Sequence, residues 1–432
     1  MLAAAGDAEP VARTPVGRAV PSLARHLSAR NGGRIATTLD ADLQSGLEAL
    51  ANREAGWIGP EADIAALVVR NRDRAVLAYF GGTRFFGPDG MVDMVRAPRS
   101  PGSALKPFIY ALAFDAGLAT PGTVLDGGAF RLGSYAPREF DRAEHGAVTA
   151  AEALRQSLNR PAVRLLSRVG PARFASSLAA AGARLVLPKG AAPSAALALG
   201  GAGISLFDLA GLYAGLADGG AVRTLRVTGT AASDGVRLVS SQAAAAVVAI
   251  LRGHPPPSGL SVLPDHPIAY KTGTSYSYRD AWAAGFTPGY TAVVWVGRRD
   301  NTPRPGATGR DAAAPVLFHV FGLLPPEPPV REAEAAATPQ LAPALSRVPT
   351  RPALQVMFPP GDVELAFDSG MPVGLRAAGG VPPYRWIADG LPLLGGMHPA
   401  WTPASPGFAH LTVLDSAGAS ASVDVALVSE AK

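Results

Sequence analysis

Ser103 and Lys106 lie three residues apart in the stretch RSPGSALKPFIY, residues 99–110. Lysine is rare in this chain, with four among 39 basic residues, and the pattern after Ser103 predicts a helix start that directs both side chains to one side. A serine hydroxyl needs a neighbouring base to become a nucleophile. A buried lysine can be neutral near pH 7, whereas arginine stays charged. The pair therefore predicts a serine nucleophile with lysine as its proton acceptor.

A second pair of candidate residues lies in QSLNR, which places Ser157 and Asn159 on one predicted short loop. A hydroxyl and an amide two residues apart on a loop can relay a proton to a leaving amine and hold a substrate carbonyl. The stretch alone fits a helix cap equally well, so its meaning depends on the other motifs.

The third stretch is YKTGTSYSYRD, which predicts a strand with Lys271 and Gly273 on one face and Thr272 and Thr274 on the other. We expect the threonines to hydrogen-bond a substrate carboxylate and Lys271 to supply positive charge nearby. We expect Gly273 to let a substrate backbone approach closely, because it carries no side chain.

Each motif is weak evidence by itself, since short patterns recur by chance in a chain of 432 residues. Together they follow the order helix start, loop and strand, and two of the four lysines fall inside them. This combination favours acyl transfer by an activated serine.

Composition excludes several other classes. The chain has no cysteine, so disulfides, thiolate metal sites and a cysteine nucleophile are excluded. Its seven histidines are scattered without metal-binding spacing, so we expect no metal site and no cofactor. The net charge of +5 comes from dispersed arginines, which argues against nucleic-acid binding. No unbroken apolar run reaches the roughly 20 residues of a membrane span, and the opening MLAAAGDAEPVARTP predicts no signal peptide.

The elements that must position the motifs predict an α+β fold. A helix is expected from residue 37 to 56, with Leu39, Leu43, Leu47 and Leu50 on one side. IAALVV and RAVLAYFGG flank RNRD as a hairpin, and AYKTGTS, DAWAAGF and YTAVVWVG read as successive strands. Because helical patterns fill 146–248, we expect an antiparallel sheet whose first and last strands pair, flanked by helices.

Four regions are predicted along the chain: a loosely ordered lead-in over 1–32, a catalytic domain over 33–325, a Pro/Ala-rich linker over 326–350, and a small β-sandwich over 351–432. The aromatic residues of the last region, Tyr384, Trp386 and Trp401, are more typical of core than of a glycan site.

The stretches 99–110, SLNRPAVRLL and KTGTSYSYRDAWAAGFTPGYTAVVWVGR resemble the penicillin-binding transpeptidases, in particular the bifunctional class A penicillin-binding proteins. The tail from GGVPPYRWIADGLPL onward is similar to the small β-domain that ends those proteins. The resemblance implies the transpeptidase fold shared with serine β-lactamases, followed by a small Ig-like β-sandwich. Leu158 stands where class A β-lactamases have aspartate.

The resemblance also implies roles. Ser103 would attack the penultimate D-alanine carbonyl of a stem pentapeptide, with Lys106 as its base. Ser157 would pass a proton to the leaving amine and Asn159 would bind the substrate amide. Lys271 would sustain the electrostatics of the site.

For the remaining positions, the resemblance implies that Thr272 and Thr274 hold the terminal carboxylate beside Gly273. The backbone N–H groups of Ser103 and Thr274 would form the oxyanion hole. The partners that the resemblance implies for the protein are the stem pentapeptide, β-lactam antibiotics, and periplasmic cell-wall synthesis proteins that bind the C-terminal tail. The full-length family works at the periplasmic face of the inner membrane. Since the glycosyltransferase half has no room before residue 34, we expect it to be absent.

Three alternatives stay open. A serine β-lactamase would need a base for rapid hydrolysis, and no glutamate lies between Glu152 and Glu327. A D,D-carboxypeptidase uses water in place of the amine acceptor. A non-catalytic β-lactam sensor or scaffold would bind without turnover.

Overall fold

The computed structural model describes residues 20–28, 34–59, 61–83, 91–131, 136–140, 145–229, 234–257, 260, 267–327, 354–360, 364–367, 371–393, 399–416 and 418–429. The chain divides into two compact units, Met1–Ser346 and Arg347–Lys432. The predicted linker over 326–350 falls almost wholly outside the described residues.

The described helices all belong to the first unit: α1 (Pro21–Ser28), α2 (Ala41–Ile58), α3 (Lys106–Asp115), α4 (Ala150–Arg155), α5 (Asn159–Val169), α6 (Pro171–Ala180), α7 (Leu206–Ala217), α8 (Ser241–Arg252) and α9 (Ala314–Phe321). Its described strands are β1 (Asp63–Arg70), β2 (Ala75–Phe80), β3 (Val124–Asp126), β4 (Ala147–Thr149), β5 (Ala221–Val222), β6 (Val236–Arg237), β7 (Ala269–Thr274), β8 (Asp280–Phe286) and β9 (Tyr290–Gly297). Within the described ranges, every helix falls short of what a bilayer span requires.

The central sheet has five strands in the order β2-β1-β9-β8-β7. The predicted hairpin is confirmed as the antiparallel pair of β1 and β2. The first and last strands also pair as predicted, with Asp63 opposite Gly297 and Arg70 opposite Tyr290. This order leaves β7 at the sheet edge, where it packs against the turn Gly102–Leu105 that precedes α3.

Two apolar cores cover the two faces of the sheet. Alternate residues of β1 enter different cores, with Ala65, Leu67 and Val69 in one and Ile64, Ala66 and Val68 in the other. The first core also contains most of α3, and the second contains the buried residues of α2 and α9. Because both faces are covered, β1 and β2 read as continuous apolar runs.

The N-terminal helices differ in part from the prediction. The expected helix is α2, and it begins after Asp40, whose side chain accepts the N–H of Leu43 at 3.0 Å. Residues 21–28 were expected to belong to a loosely ordered lead-in but form α1. The reason is packing: Leu23 is buried in the first core, and Glu48 accepts the N–H of Val20 at 3.1 Å.

The second unit is rich in strands, as predicted: β10 (Gln355–Phe358), β11 (Glu364–Phe367), β12 (Val373–Gly374), β13 (Arg376–Ala378), β14 (Arg385–Ala388), β15 (Leu391–Pro392), β16 (Ala400–Trp401), β17 (Gly407–Leu414) and β18 (Ser420–Ser429). Its main sheet has the order β11-β18-β17-β14-β15, and two further pairs join β10 to β13 and β12 to β16. Trp386 and Trp401 are buried in its core and Tyr384 packs against it, which agrees with the core interpretation.

Candidate active site

The site begins at a 3₁₀ turn, Gly102–Leu105, that leads directly into α3 at Lys106. Pro107 falls in the first turn of α3, where its missing N–H donor costs nothing. Lys106 is completely buried, while Ser103 stays half-buried at the edge of the turn. The predicted helix start is therefore present.

Lys106 is held by the second motif. Its Nζ donates to the backbone oxygens of Ser157 at 2.6 Å and Leu158 at 3.0 Å, and to Asn159 Oδ1 at 2.7 Å. Burial and then the positive charge of Lys271 hold the pKa of Lys106 well below its usual value, and Glu139 opposes them. An amine in this setting loses a proton far more readily than a lysine in water.

Ser103 makes no hydrogen bond through its hydroxyl among the described residues. Proton transfer from Ser103 to Lys106 therefore stays a prediction. The direct contact that the structure provides is between Lys106 and the loop Ser157–Asn159.

Lys271 joins the third motif to the same loop. Its side chain is 2% exposed, and its Nζ donates to Ser157 Oγ at 2.8 Å and to the backbone oxygen of Thr272 at 2.9 Å. Burial lowers the pKa of Lys271 to about 7. Ser157 thus binds both lysines, through its backbone oxygen and its hydroxyl, and holds a left-handed backbone conformation with φ 63°. This conformation costs energy in a residue other than glycine. Strained backbone of this kind is typical of functional loops.

Asn159 has both ends of its amide engaged. Oδ1 accepts from Lys106, and Nδ2 donates to the backbone oxygen of Arg138 at 2.7 Å. These partners fix the orientation of the amide, since a flip would set donor against donor. One Nδ2 hydrogen is left for the predicted contact with a substrate amide.

Gly273 makes a close contact that the sequence does not predict, while its contact with a substrate backbone stays a prediction. A Cβ built on it would lie 2.2 Å from the backbone oxygen of Pro101 and 3.2 Å from the Cβ of Ala104. The backbone that approaches Gly273 is therefore that of the chain itself. This contact brings strand β7 against the turn that carries Ser103.

Gly102 completes the same junction from the other side. Its φ is 52°, and a Cβ there would lie 2.3 Å from the backbone oxygen of Thr274 and 2.8 Å from its nitrogen. This packing brings the backbone next to Ser103 close to the backbone of Thr274, as the predicted oxyanion hole requires.

The threonines show the predicted alternation on β7. Lys271 and Gly273 are buried, whereas Thr272 and Thr274 are partly exposed. Thr274 Oγ1 accepts the N–H of Gly309 at 2.9 Å, so its hydroxyl hydrogen can point toward a ligand. Binding of a carboxylate by these threonines stays a prediction.

Sequence reasoning missed Glu139. Its side chain is 5% exposed and accepts the N–H groups of Asn159 and Arg160. Nothing in the local stretch PREF distinguishes this glutamate from an exposed loop residue.

No cluster of three or more metal-ligating side chains occurs in the part of the chain that the structure describes. The amines of the site belong to Lys106 and Lys271, and its other donors are hydroxyls, the Asn159 amide and backbone N–H groups. This donor set suits an anionic acyl substrate.

Comparison with known protein families gives two matches. The pattern described as the penicillin binding protein transpeptidase domain matches residues 64–321. The pattern described as the Penicillin-Binding Protein C-terminus Family matches residues 343–425.

The chain is also similar to individual proteins. It is 42% identical over 328 residues to penicillin-binding protein 1C of Escherichia coli K12, covering 73% of this chain and 42% of that protein. It is 29% identical over 313 residues to penicillin-binding protein 1B of Vibrio cholerae, covering 65% and 39%. The chain thus spans about two fifths of the length of these curated relatives.

Among solved structures, the penicillin-binding protein PonA1 from Mycobacterium tuberculosis aligns with a TM-score of 0.62 at 22% identity. That alignment covers 73% of this chain and 92% of PonA1. The structure of PonA1 in complex with penicillin V aligns with a TM-score of 0.61 at 21% identity. At these identities the likeness shows a common fold.

Proposed function

The chain belongs to the penicillin-binding protein transpeptidase family, and from this premise we propose that it is a D,D-transpeptidase that joins peptidoglycan stem peptides through an acyl-enzyme on Ser103. The observation that carries the proposal is the double contact of Ser157. Its backbone oxygen accepts from Lys106 and its hydroxyl accepts from Lys271, so the three motifs meet around one residue.

In the acylation step, neutral Lys106 takes the proton of the Ser103 hydroxyl, and the oxygen attacks the carbonyl of the penultimate D-alanine. The C–N bond to terminal D-alanine then breaks. Ser157 passes its hydroxyl proton to the leaving amine and takes one in return from Lys271, whose ammonium group donates to the Ser157 oxygen at 2.8 Å. The N–H groups of Ser103 and Thr274 hold the developing oxyanion.

The hydrogen bonds of Lys106 show which protonation state acylation requires. Its three oxygen acceptors match the three hydrogens of an ammonium group. A neutral amine has two hydrogens and one lone pair, so it keeps two acceptors and turns the lone pair toward Ser103. Burial and the nearby charge of Lys271 lower the pKa of Lys106 and so favour that neutral form.

The second step transfers the acyl group to an amine of another stem peptide and restores the Ser103 hydroxyl. Hydrolysis needs a base that activates water. Glu139 lies beside the site, but both of its oxygens accept backbone N–H groups, of Asn159 at 2.6 Å and Arg160 at 2.8 Å. Both oxygens of Glu139 are thus engaged with the backbone of α5, and this supports an amine rather than water as acceptor.

Substrate and location follow from the same proposal. A β-lactam mimics the acyl-D-alanyl-D-alanine end of the stem peptide, and Thr272, Thr274 and Lys271 would bind the carboxylate common to both. We propose that the protein works in the periplasm, where stem peptides are exposed. The C-terminal unit would contact periplasmic cell-wall synthesis proteins.

The test is incubation with a stem pentapeptide and a second stem peptide that carries a free amine. We expect a crosslinked dimer and free D-alanine by mass spectrometry, with neither from the Ser103→Ala variant. Release of tetrapeptide without dimer would identify a carboxypeptidase instead. Penicillin labelling without turnover of either kind would identify a sensor.

A further inference from the structure

Glu139 is a buried carboxylate that none of the three motifs contains. Oε2 accepts the N–H of Asn159 at 2.6 Å and Oε1 accepts the N–H of Arg160 at 2.8 Å. Both N–H groups belong to the first turn of α5, which begins at Asn159. A carboxylate here satisfies donors that the helix leaves unpaired and lies at the positive end of the helix dipole.

Arg138, the residue before Glu139, binds the side chain of Asn159. The backbone oxygen of Arg138 accepts from Asn159 Nδ2, while Asn159 Oδ1 faces Lys106. Two consecutive residues thus fix both the backbone and the amide of Asn159. All three acceptors of Lys106 Nζ come from the loop Ser157–Asn159, so movement of that loop disturbs the surroundings of the amine.

Glu139 also supplies negative charge to a site with two buried lysines. Its charge acts on Lys106, the first residue of α3, while Lys271 of β7 reaches the same site through its bond to Ser157. Tyr110 lies one turn after Lys106, and burial and then the charge of Glu139 raise the pKa of its hydroxyl. The guanidinium of Arg160 is directed elsewhere, to the backbone oxygens of Pro137 and Gly127 at 3.3 Å each.

We propose that Glu139 is a positioning residue that holds the Ser157–Asn159 loop against Lys106 and offsets the positive charge of Lys106. The inference rests on the proposed function and concerns its first step, acylation of Ser103. Glu139 touches no reacting atom and acts through Asn159 and Lys106.

Two consequences separate this role from simple structural support. Acylation needs neutral Lys106, so its rate rises with pH through the pKa of that amine. Glu139 raises this pKa, so loss of the carboxylate charge moves the acid limb of the rate profile to lower pH. In Glu139→Gln one oxygen becomes an NH₂ group that faces a backbone N–H, so the loop loosens and the plateau rate falls about tenfold.

The experiment measures the second-order rate constant of acylation by a fluorescent penicillin from about pH 5 to about pH 9, together with the melting temperature of each protein. Glu139→Gln should lower the plateau of the acylation rate and shift the acid limb of its pH profile to lower pH. Glu139→Asp keeps the charge but cannot reach both N–H groups, so it should lower the plateau and leave the limb in place. Asp415→Asn is the matched control, because Asp415 is also buried and accepts two backbone N–H groups, and it should change neither.

An unmoved acid limb in Glu139→Gln would overturn the proposal, whatever happens to the plateau. If Glu139→Gln does not fold, a Glu139→Asp profile identical to that of the unaltered protein would overturn it instead. Failure of the proposed function looks different, since the unaltered protein would then not be acylated at all.

Discussion

Glu139 and Asp415 are buried carboxylates, one in each compact unit, with the same local hydrogen bonds in different surroundings. Asp415 accepts the N–H groups of Val381 at 2.8 Å and Ala419 at 2.7 Å, and so closes a turn between strands. Glu139 accepts two N–H groups in the same way, and its negative charge acts on Lys106. The same pair of backbone hydrogen bonds joins loops between strands in one unit and, in our proposal, positions the surroundings of Lys106 in the other.

The two units differ more broadly in what their cores contain. The core of the C-terminal unit is apolar and centred on side chains such as Trp386 and Leu411. The N-terminal unit buries two lysines with depressed pKa values, an arrangement that opposes folding. Buried groups with strongly perturbed pKa values are typical of functional sites, so this difference supports a chemical role for the N-terminal unit.

The largest expected effect is a contrast between two variants, one of which loses acylation and the other stability. Ser103→Ala should abolish covalent labelling by a fluorescent penicillin and leave the melting temperature unchanged, because Ser103 is half-buried. Trp386→Ala should destabilise the C-terminal unit by about 3–5 kcal/mol and leave labelling intact. Gel fluorescence and thermal melting measure the two. Labelling of Ser103→Ala would refute the assignment of the nucleophile.

The next effect concerns the junction of Gly273 with the nucleophile turn. Gly273→Ala places a Cβ 2.2 Å from the backbone oxygen of Pro101, so β7 and the turn must separate. We expect acylation to slow by about a hundredfold or more. Gly374→Ala is the control, since a Cβ there meets nothing within 4 Å. Equal acylation rates in the two variants would show that the close contact is unimportant.

A smaller effect tests the buried charge of Lys271. Because its folded pKa is about 7, the ammonium form is penalised in the folded state below that pH. The penalty fades as pH rises from 7 toward the unfolded pKa of about 10.4. Lys271→Met should therefore raise the free energy of unfolding by a few kcal/mol below pH 7 and by less at high pH, because a tenfold change in proton affinity corresponds to about 1.4 kcal/mol.

Denaturant unfolding at several pH values measures the effect of Lys271→Met. The exposed Lys189→Met is the control, and its free energy of unfolding should stay close to that of the unaltered protein. A gain in Lys271→Met that does not depend on pH would contradict the assignment of the buried charge.

The smallest effect is expected from removing residues 347–432, the second compact unit. Since the three motifs lie before Ser346, the acylation rate should stay within about twofold of that of the full chain. A large loss would show that the C-terminal unit supports the site, and would weaken the contrast between the units.

Much of this organisation could be predicted from the sequence, because it rests on local pattern. Alternation and turn residues identified β7, β8 and β9, and the scarcity of lysine singled out Lys106 and Lys271. Glu139 could not be found, because its burial depends on α5, which starts 20 residues later in the chain. The partner of Gly273 was also hidden, since a sequence indicates where a backbone can come close but not which one does.

Helix α1 is an element that the sequence did not predict. Its Ala-, Arg- and Pro-rich surroundings predict weak order, yet Leu23 is buried in the first core and Leu27 packs against it. Composition averages over a stretch, whereas packing depends on single side chains.

The central claim is that Lys106 acts as an uncharged proton acceptor, and the acylation rate of Lys106→Arg tests it most directly. Arginine keeps the positive charge but cannot deprotonate, so the account predicts a rate as low as that of Lys106→Ala when both variants retain their melting transitions. An arginine variant that is acylated at a rate close to that of the unaltered protein would contradict the account.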